Sequence, residues 1–123
     1  MTMAWTVHVV DDDAAVRTAL LFALEVKGFR VADYVDAADF LARGRGQRGV
    51  LICDVRMPGM DGIELTRLLT QEAAAMPIIL ITGHANQALK AEAIAAGALS
   101  VLEKPVDLAV LLAEITGATA GWE

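Results

Sequence analysis

Short apolar runs alternate along this chain with longer segments in which apolar residues recur every three or four positions. The runs fall at 5–10, 29–33, 50–53, 78–81 and 99–102, and the segments between them at 14–27, 37–43, 62–74, 86–96 and 107–116. Val16, Ala19, Leu20, Ala23 and Leu24 form an i, i+3, i+4 stripe, and Ile63, Leu65, Leu68 and Leu69 form a partial one, the spacing of a helix that buries one face. Five strands alternating with five helices predict a parallel sheet covered on both faces. Ile78-Ile79-Leu80-Ile81, apolar at four successive positions, reads as a strand buried on both sides.

The polar punctuation agrees with this pattern. Asp13 is placed to cap the first helix and Gly28 to end it in the left-handed region. Asp61, followed three residues later by Glu64, has the spacing of a capping box. Gly97 closes the fourth helix. The segment after Thr116 reads as a fraying end or the start of a linker, and Trp5 and Trp122 as packing residues at the two ends of the chain.

Composition narrows the picture. The 123 residues suit one domain, and 56% apolar residues exclude a disordered chain. Sixteen acids against ten bases give a net charge of −6, which disfavours binding to a phosphate backbone. A single cysteine builds neither a disulfide framework nor a four-cysteine zinc site. No apolar run approaches the roughly 18 residues that span a bilayer, and the N-terminus lacks the features of a signal peptide. The expected setting is the cytoplasm.

In an open parallel α/β sheet, ligands bind beyond the carboxyl ends of the strands. There the first strand presents Asp11-Asp12-Asp13, the third Asp54, the fourth Thr82, and the fifth Glu103-Lys104-Pro105. Capping explains one of the three consecutive aspartates and leaves two. Carboxylates this crowded repel one another, and a hard divalent cation, Mg²⁺ before Ca²⁺, relieves the repulsion. Asp54 would then stand beside a metal able to draw charge from an incoming phosphoryl group. Lys104 serves either as an ion-pair partner of these acids or as a phosphate ligand, and Thr82 as a turn residue or a further donor.

The sequences V-H-V-V-D-D at 7–12, D-V-R-M-P-G-M-D-G at 54–62, I-T-G-H at 81–84 and E-K-P at 103–105 together resemble a response-regulator receiver domain, in particular the FixJ-like receivers of bacterial two-component systems. The resemblance implies a (βα)₅ flavodoxin-like sheet in the order 2-1-3-4-5 and a receiver domain over residues 1–118, followed by a tail or truncated linker at 119–123. By the same resemblance Asp54 is the phosphoacceptor, served by a partner histidine kinase. Asp11 and Asp12 hold Mg²⁺ with Asp54, Asp12 more directly, and Arg56 contributes its main-chain carbonyl. Thr82 and Lys104 bind the phosphoryl group, and the bond to Pro105 is cis. The face of the fourth helix, fifth strand and fifth helix is expected to switch and to meet an output domain or a second copy. Neither direct nucleic-acid binding by this domain nor membrane association is expected.

Two positions depart from the family pattern. Val101 and Val106 stand where aromatic residues are common, so backbone and helix movement is expected to carry more of the signal than an aromatic switch. Rival readings are a pseudo-receiver that binds a partner without phosphate, and an aspartyl-phosphate phosphohydrolase. The second lacks the usual acid two residues after the nucleophile, where Arg56 stands. Gly44-Arg45-Gly46-Gln47-Arg48-Gly49 spells a dinucleotide fingerprint but follows a helix and enters a strand, so it reads as a surface loop. Cys53 and His8 read as core residues. His84 lies near the site without a second histidine to make a metal pair. The alanines of the fourth helix suit close packing or a contact surface.

Overall fold

The computed structural model describes residues 5–72 and 76–122. Ten elements alternate: β1 (Thr6–Val10), α1 (Ala14–Val26), β2 (Val31–Tyr34), α2 (Ala37–Arg43), β3 (Gly49–Asp54), α3 (Gly62–Gln71), β4 (Ile78–Thr82), α4 (Gln87–Ala96), β5 (Ser100–Glu103) and α5 (Leu108–Ala118). All strand pairs are parallel, in the order β2-β1-β3-β4-β5. This is the expected flavodoxin-like architecture.

The uninterrupted apolar strands feed two cores through the period-two alternation of their side chains. Val7, Val9, Val50, Ile52, Ile79 and Ile81 meet Leu20 and Leu24 of α1 and Leu111 and Ile115 of α5. Leu51, Cys53, Ile78 and Leu80 face the other way, toward Phe40 of α2, Leu65 and Leu69 of α3, and Ala93 and Ala96 of α4. The inner strands β1, β3 and β4 are buried throughout, whereas β2 and β5 at the edges are only partly so.

The helix ends form where the sequence places them. The Asp13 carboxylate accepts from the amides of Ala15 and Val16, and Asp61 and Glu64 complete a capping box. Gly28 has φ 92°. Gly97 has φ 115°, and a Cβ there would collide with the Thr70 side chain of α3, so α4 can approach α3 only with glycine at its end.

Several boundaries differ from the sequence pattern. β2 begins at Val31, paired with Val7, rather than at 29, and runs to Tyr34; Phe29 lies before the ladder and packs on Trp5. α3 ends at Gln71, short of 74; the last two of those expected positions lie outside the described residues. α5 runs on to Ala118. The segment beyond it is anchored, not frayed: Trp122 meets Trp5 edge-to-face at 5.4 Å, and the Arg48 guanidinium lies over its ring at 4.7 Å. The glycine-rich stretch 44–49 links α2 to β3, as its position requires, although Gly44 itself is buried. His8 and Cys53 are fully buried. No helix among the described residues is long and apolar enough to cross a membrane.

Candidate functional site

The carboxyl ends of β1, β3, β4 and β5 bring Asp11, Asp12, Asp54, Thr82 and Lys104 to one edge of the sheet. Strand pairing reaches Asp54 opposite Ile81 and Thr82 opposite Glu103. The main chain continues this order past the strands: Val55 N–H donates to the Ile81 carbonyl at 2.9 Å and Lys104 N–H to the Thr82 carbonyl at 2.8 Å. Gly62, the first residue of α3, packs so closely on the Asp54 carbonyl that a Cβ would overlap it. Gly62 N–H donates to the Val55 carbonyl at 2.8 Å, which sets α3 against the end of β3.

The three consecutive aspartates divide their work. Asp13 is spent on the helix cap. Asp11, fully buried, accepts the Asp13 amide on Oδ1 at 2.9 Å and keeps Oδ2 free of hydrogen bonds. Asp11, exposed Asp12 and buried Asp54 each offer a carboxylate oxygen, and these oxygens lie within 4.8 Å of one another. Lys104 Nζ sits 3.2 Å from Asp11 Oδ2 and 3.4 Å from Asp54 Oδ1. Two of the three carboxylates thus share one ammonium. The all-oxygen donor set and the surplus negative charge fit a hard divalent cation such as Mg²⁺.

Electrostatics follow from this crowding. Burial pushes the Asp54 carboxyl up to about 6, the neighbouring Asp11 charge adds to the rise, and Lys104 opposes it. Burial tends to lower the Lys104 pKa, but Asp54 and Asp11 outweigh it and hold the ammonium above its ordinary value. Burial raises the Cys53 thiol, and its S–H donates to the Asp54 carbonyl at 3.3 Å, so Cys53 is a packing residue and not a nucleophile.

Thr82 is fully buried, and its Oγ1 accepts the His84 amide at 3.3 Å. Arg56 is exposed two residues beyond Asp54. The Lys104–Pro105 bond is cis. Val101 is partly buried against the α2–α3–α4 core and Val106 against the α1–α5 core. On α4, Ala93 and Ala96 pack inward while Ala88, Ala91 and Ala95 are exposed.

Two contacts at this edge, by Glu103 and Arg17, are not read from the sequence pattern. Glu103 Oε2 accepts the Ala85 amide at 3.0 Å, tying the loop after Thr82 to the end of β5. Arg17 reaches back from α1 to the Asp11 carbonyl at 2.6 Å and to Asp33 Oδ2 at 3.1 Å. Four residues after Asp13, Arg17 has the spacing of a simple intrahelical ion pair, which hides its reach to two strand ends.

A parallel five-stranded sheet with an acid cluster, a hydroxyl and a lysine at its carboxyl edge defines a receiver fold. The chain belongs to the response regulator receiver domain family, whose model matches residues 7–116. It is 46% identical over 110 residues to the transcriptional regulatory protein FixJ of Azorhizobium caulinodans, covering 89% of this chain and 52% of that protein. It is 42% identical over 107 residues to the C4-dicarboxylate transport transcriptional regulatory protein DctD of Pseudomonas aeruginosa, covering 86% of this chain and 23% of that protein. The chain therefore spans about half or less of the length of these relatives. A crystal structure of FixJ-N superposes with a TM-score of 0.88 at 40% identity, covering 99% of this chain and 98% of that one. A beryllofluoride-activated DrrB receiver domain superposes at 0.84 with 28% identity, covering 94% of this chain and 97% of that one. The chain is a receiver domain of a two-component response regulator.

Proposed function

We propose that this domain accepts a phosphoryl group from a histidine kinase onto Asp54 and relays the event through the α4-β5-α5 face. The observation that carries the reading is the cluster of Asp11, Asp12 and Asp54 carboxylates, with the Lys104 ammonium against Asp11 and Asp54. Asp11, Asp12, Asp54 and the main-chain carbonyl of Arg56 would hold Mg²⁺. When bound, it neutralises charge on the transferring phosphoryl oxygens.

In the transfer, a carboxylate oxygen of Asp54 forms a bond to phosphorus as the bond to the donor imidazole nitrogen breaks, and the nitrogen leaves with the electron pair. Lys104, already beside Asp54, is placed to bind a phosphoryl oxygen. The Thr82 hydroxyl exchanges its contact with the His84 amide for another. The loop after Thr82 is tied to β5 through Glu103, so this exchange is coupled to β5 and α4. Val101 supplies no aromatic ring to rotate, and backbone and helix displacement carries the change as a population shift. The site spends its chemistry on its own aspartate and not on turnover of an external substrate.

The receiver occupies residues 1–118 in this reading, with 119–123 leading into a linker. The relatives named as transcriptional regulators are about twice this length or longer, which supports an output domain, or a second copy, as the reader of the switched face. The test is titration with beryllofluoride and Mg²⁺ followed by amide chemical shifts. Movement at Thr82, Ala85, Lys104 and along α4, absent in Asp54→Asn, is expected. An unchanged spectrum at saturating beryllofluoride would overturn the reading.

A further inference from the structure

The turn between β1 and α1 must hold Asp11 and Asp12 against mutual repulsion and against Asp54, and its own hydrogen bonds do little of this. The Asp13 carboxylate is committed to the helix cap, and the Asp13 amide to Asp11 Oδ1. Past the end of β1 at Val10, the Asp11 amide donates to the Tyr34 carbonyl of β2 at 3.3 Å, which leaves the Asp11 carbonyl to be held. Arg17 holds it. Its side chain is only 14% exposed. Its Nη1 donates to the Asp11 main-chain carbonyl at 2.6 Å while its Nε donates to Oδ2 of Asp33, the β2 residue paired with Val9, at 3.1 Å.

A guanidinium is suited to this span, since its donors sit in a rigid fork and it stays charged at every working pH. It bonds the main chain of one acid and leaves that acid's Oδ2 free for other partners. Arg17 therefore acts on the pocket through the backbone of Asp11 and not by contact with the phosphoryl group.

We propose that Arg17 is a positioning residue of the acid pocket. By fastening the Asp11 carbonyl to α1, it sets the affinity of the three aspartates for Mg²⁺ and hence the rate at which Asp54 is phosphorylated. The inference rests on the phosphoacceptor reading above. Asp33 anchors the far side of the guanidinium and is half-exposed, with 50% of its side-chain surface accessible, so its own removal leaves the carbonyl bond in place.

The test compares wild type, Arg17→Ala, Arg17→Lys and Asp33→Ala by Mg²⁺ titration in the absence of any phosphodonor, with thermal melting of each metal-free protein as the check on folding. Groups that orient a metal-binding residue typically change affinity by roughly 10–100-fold when removed. Arg17→Ala is accordingly expected to bind Mg²⁺ about tenfold or more weakly. Arg17→Lys keeps one donor for the carbonyl and recovers part of the loss. Asp33→Ala stays within about threefold of wild type, as suits loss of a solvent-exposed ion pair. In the metal-free state the Asp13 amide of Arg17→Ala exchanges with solvent faster than in wild type, since the turn it closes is loosened.

Wild-type affinity in Arg17→Ala would overturn the proposal, and so would an equal loss in Asp33→Ala, which would make the ion pair and not the carbonyl bond the agent. Failure of wild type itself to bind Mg²⁺ would bring down the phosphoacceptor reading and this inference together.

Discussion

The Lys104 ammonium lies 3.4 Å from Oδ1 of Asp54 and 3.2 Å from Oδ2 of Asp11, reaching from the end of β5 to the ends of the neighbouring strands β3 and β1. It is the one cation in ion-pair contact with the carboxylates of the acid cluster among the described residues. Removing it leaves buried Asp11 and Asp54 with like charges and no compensation, a cost that breaking such pairs commonly sets at about 3–5 kcal/mol. Partial exposure of Lys104, 23% of its side chain, reduces this to about 1–3 kcal/mol. Lys104→Met is expected to lose stability by that amount at neutral pH and to regain part of it when Mg²⁺ is added. Denaturant unfolding with and without the cation checks this.

Asp54 contributes a stability effect of the opposite sense. Its folded pKa of about 6 lies above the ordinary 3.8, so the folded state binds a proton more readily than the unfolded chain. Above about pH 6 the carboxylate is charged in both states and its full burial cost is present. As pH falls from 6 toward 3.8 the folded carboxyl takes up a proton and the cost drains away. Asp54→Asn, which keeps the shape without the charge, is expected to be more stable than wild type by about 1–3 kcal/mol at pH 7–8 without metal. The advantage should vanish by about pH 4. Paired unfolding curves across that range, in chelator, measure the difference.

On the opposite core face, His8 Nδ1 and the Tyr34 hydroxyl share a buried hydrogen bond of 2.9 Å. Tyr34→Phe leaves the imidazole without this partner and is expected to cost about 1–3 kcal/mol in denaturant unfolding. Burial lowers the His8 pKa below 6.5, with the Arg48 main chain pulling the other way. The stability that depends on neutral His8 is therefore complete above pH 6.5 and is lost as pH falls below it, because the unfolded histidine takes the proton first. Wild type measured against His8→Gln should show this slope, and a flat difference between pH 7 and 5 would contradict it.

Much of this molecule was legible in the residue pattern because the inner strands are apolar on both faces and their ends are marked by acids. Asp13, Asp61, Gly28 and Gly97 announce helix ends through local chemistry, so the caps appear where the spacing places them. The start of β2 was less legible. The apolar character of Phe29 looks like strand, but its partner is Trp5, a contact that no local pattern encodes. Trp122 reads from the sequence as a packing residue, but its partners Trp5 and Arg48 lie across the fold and no local pattern names them. At the site, the acids and Lys104 stand out by type and strand-end position. The roles of Arg17 and Glu103 do not, because each acts on the main chain of a residue it reaches only in three dimensions.

The central claim, that Asp54 is a phosphoacceptor served by a divalent cation, is tested most directly by intact mass after incubation with a small acyl phosphate, with and without Mg²⁺, beside Asp54→Asn. One phosphoryl adduct per chain that requires Mg²⁺ and is absent from the variant is the predicted result. An unmodified wild-type mass in the presence of Mg²⁺, or an adduct that survives in Asp54→Asn, would contradict it.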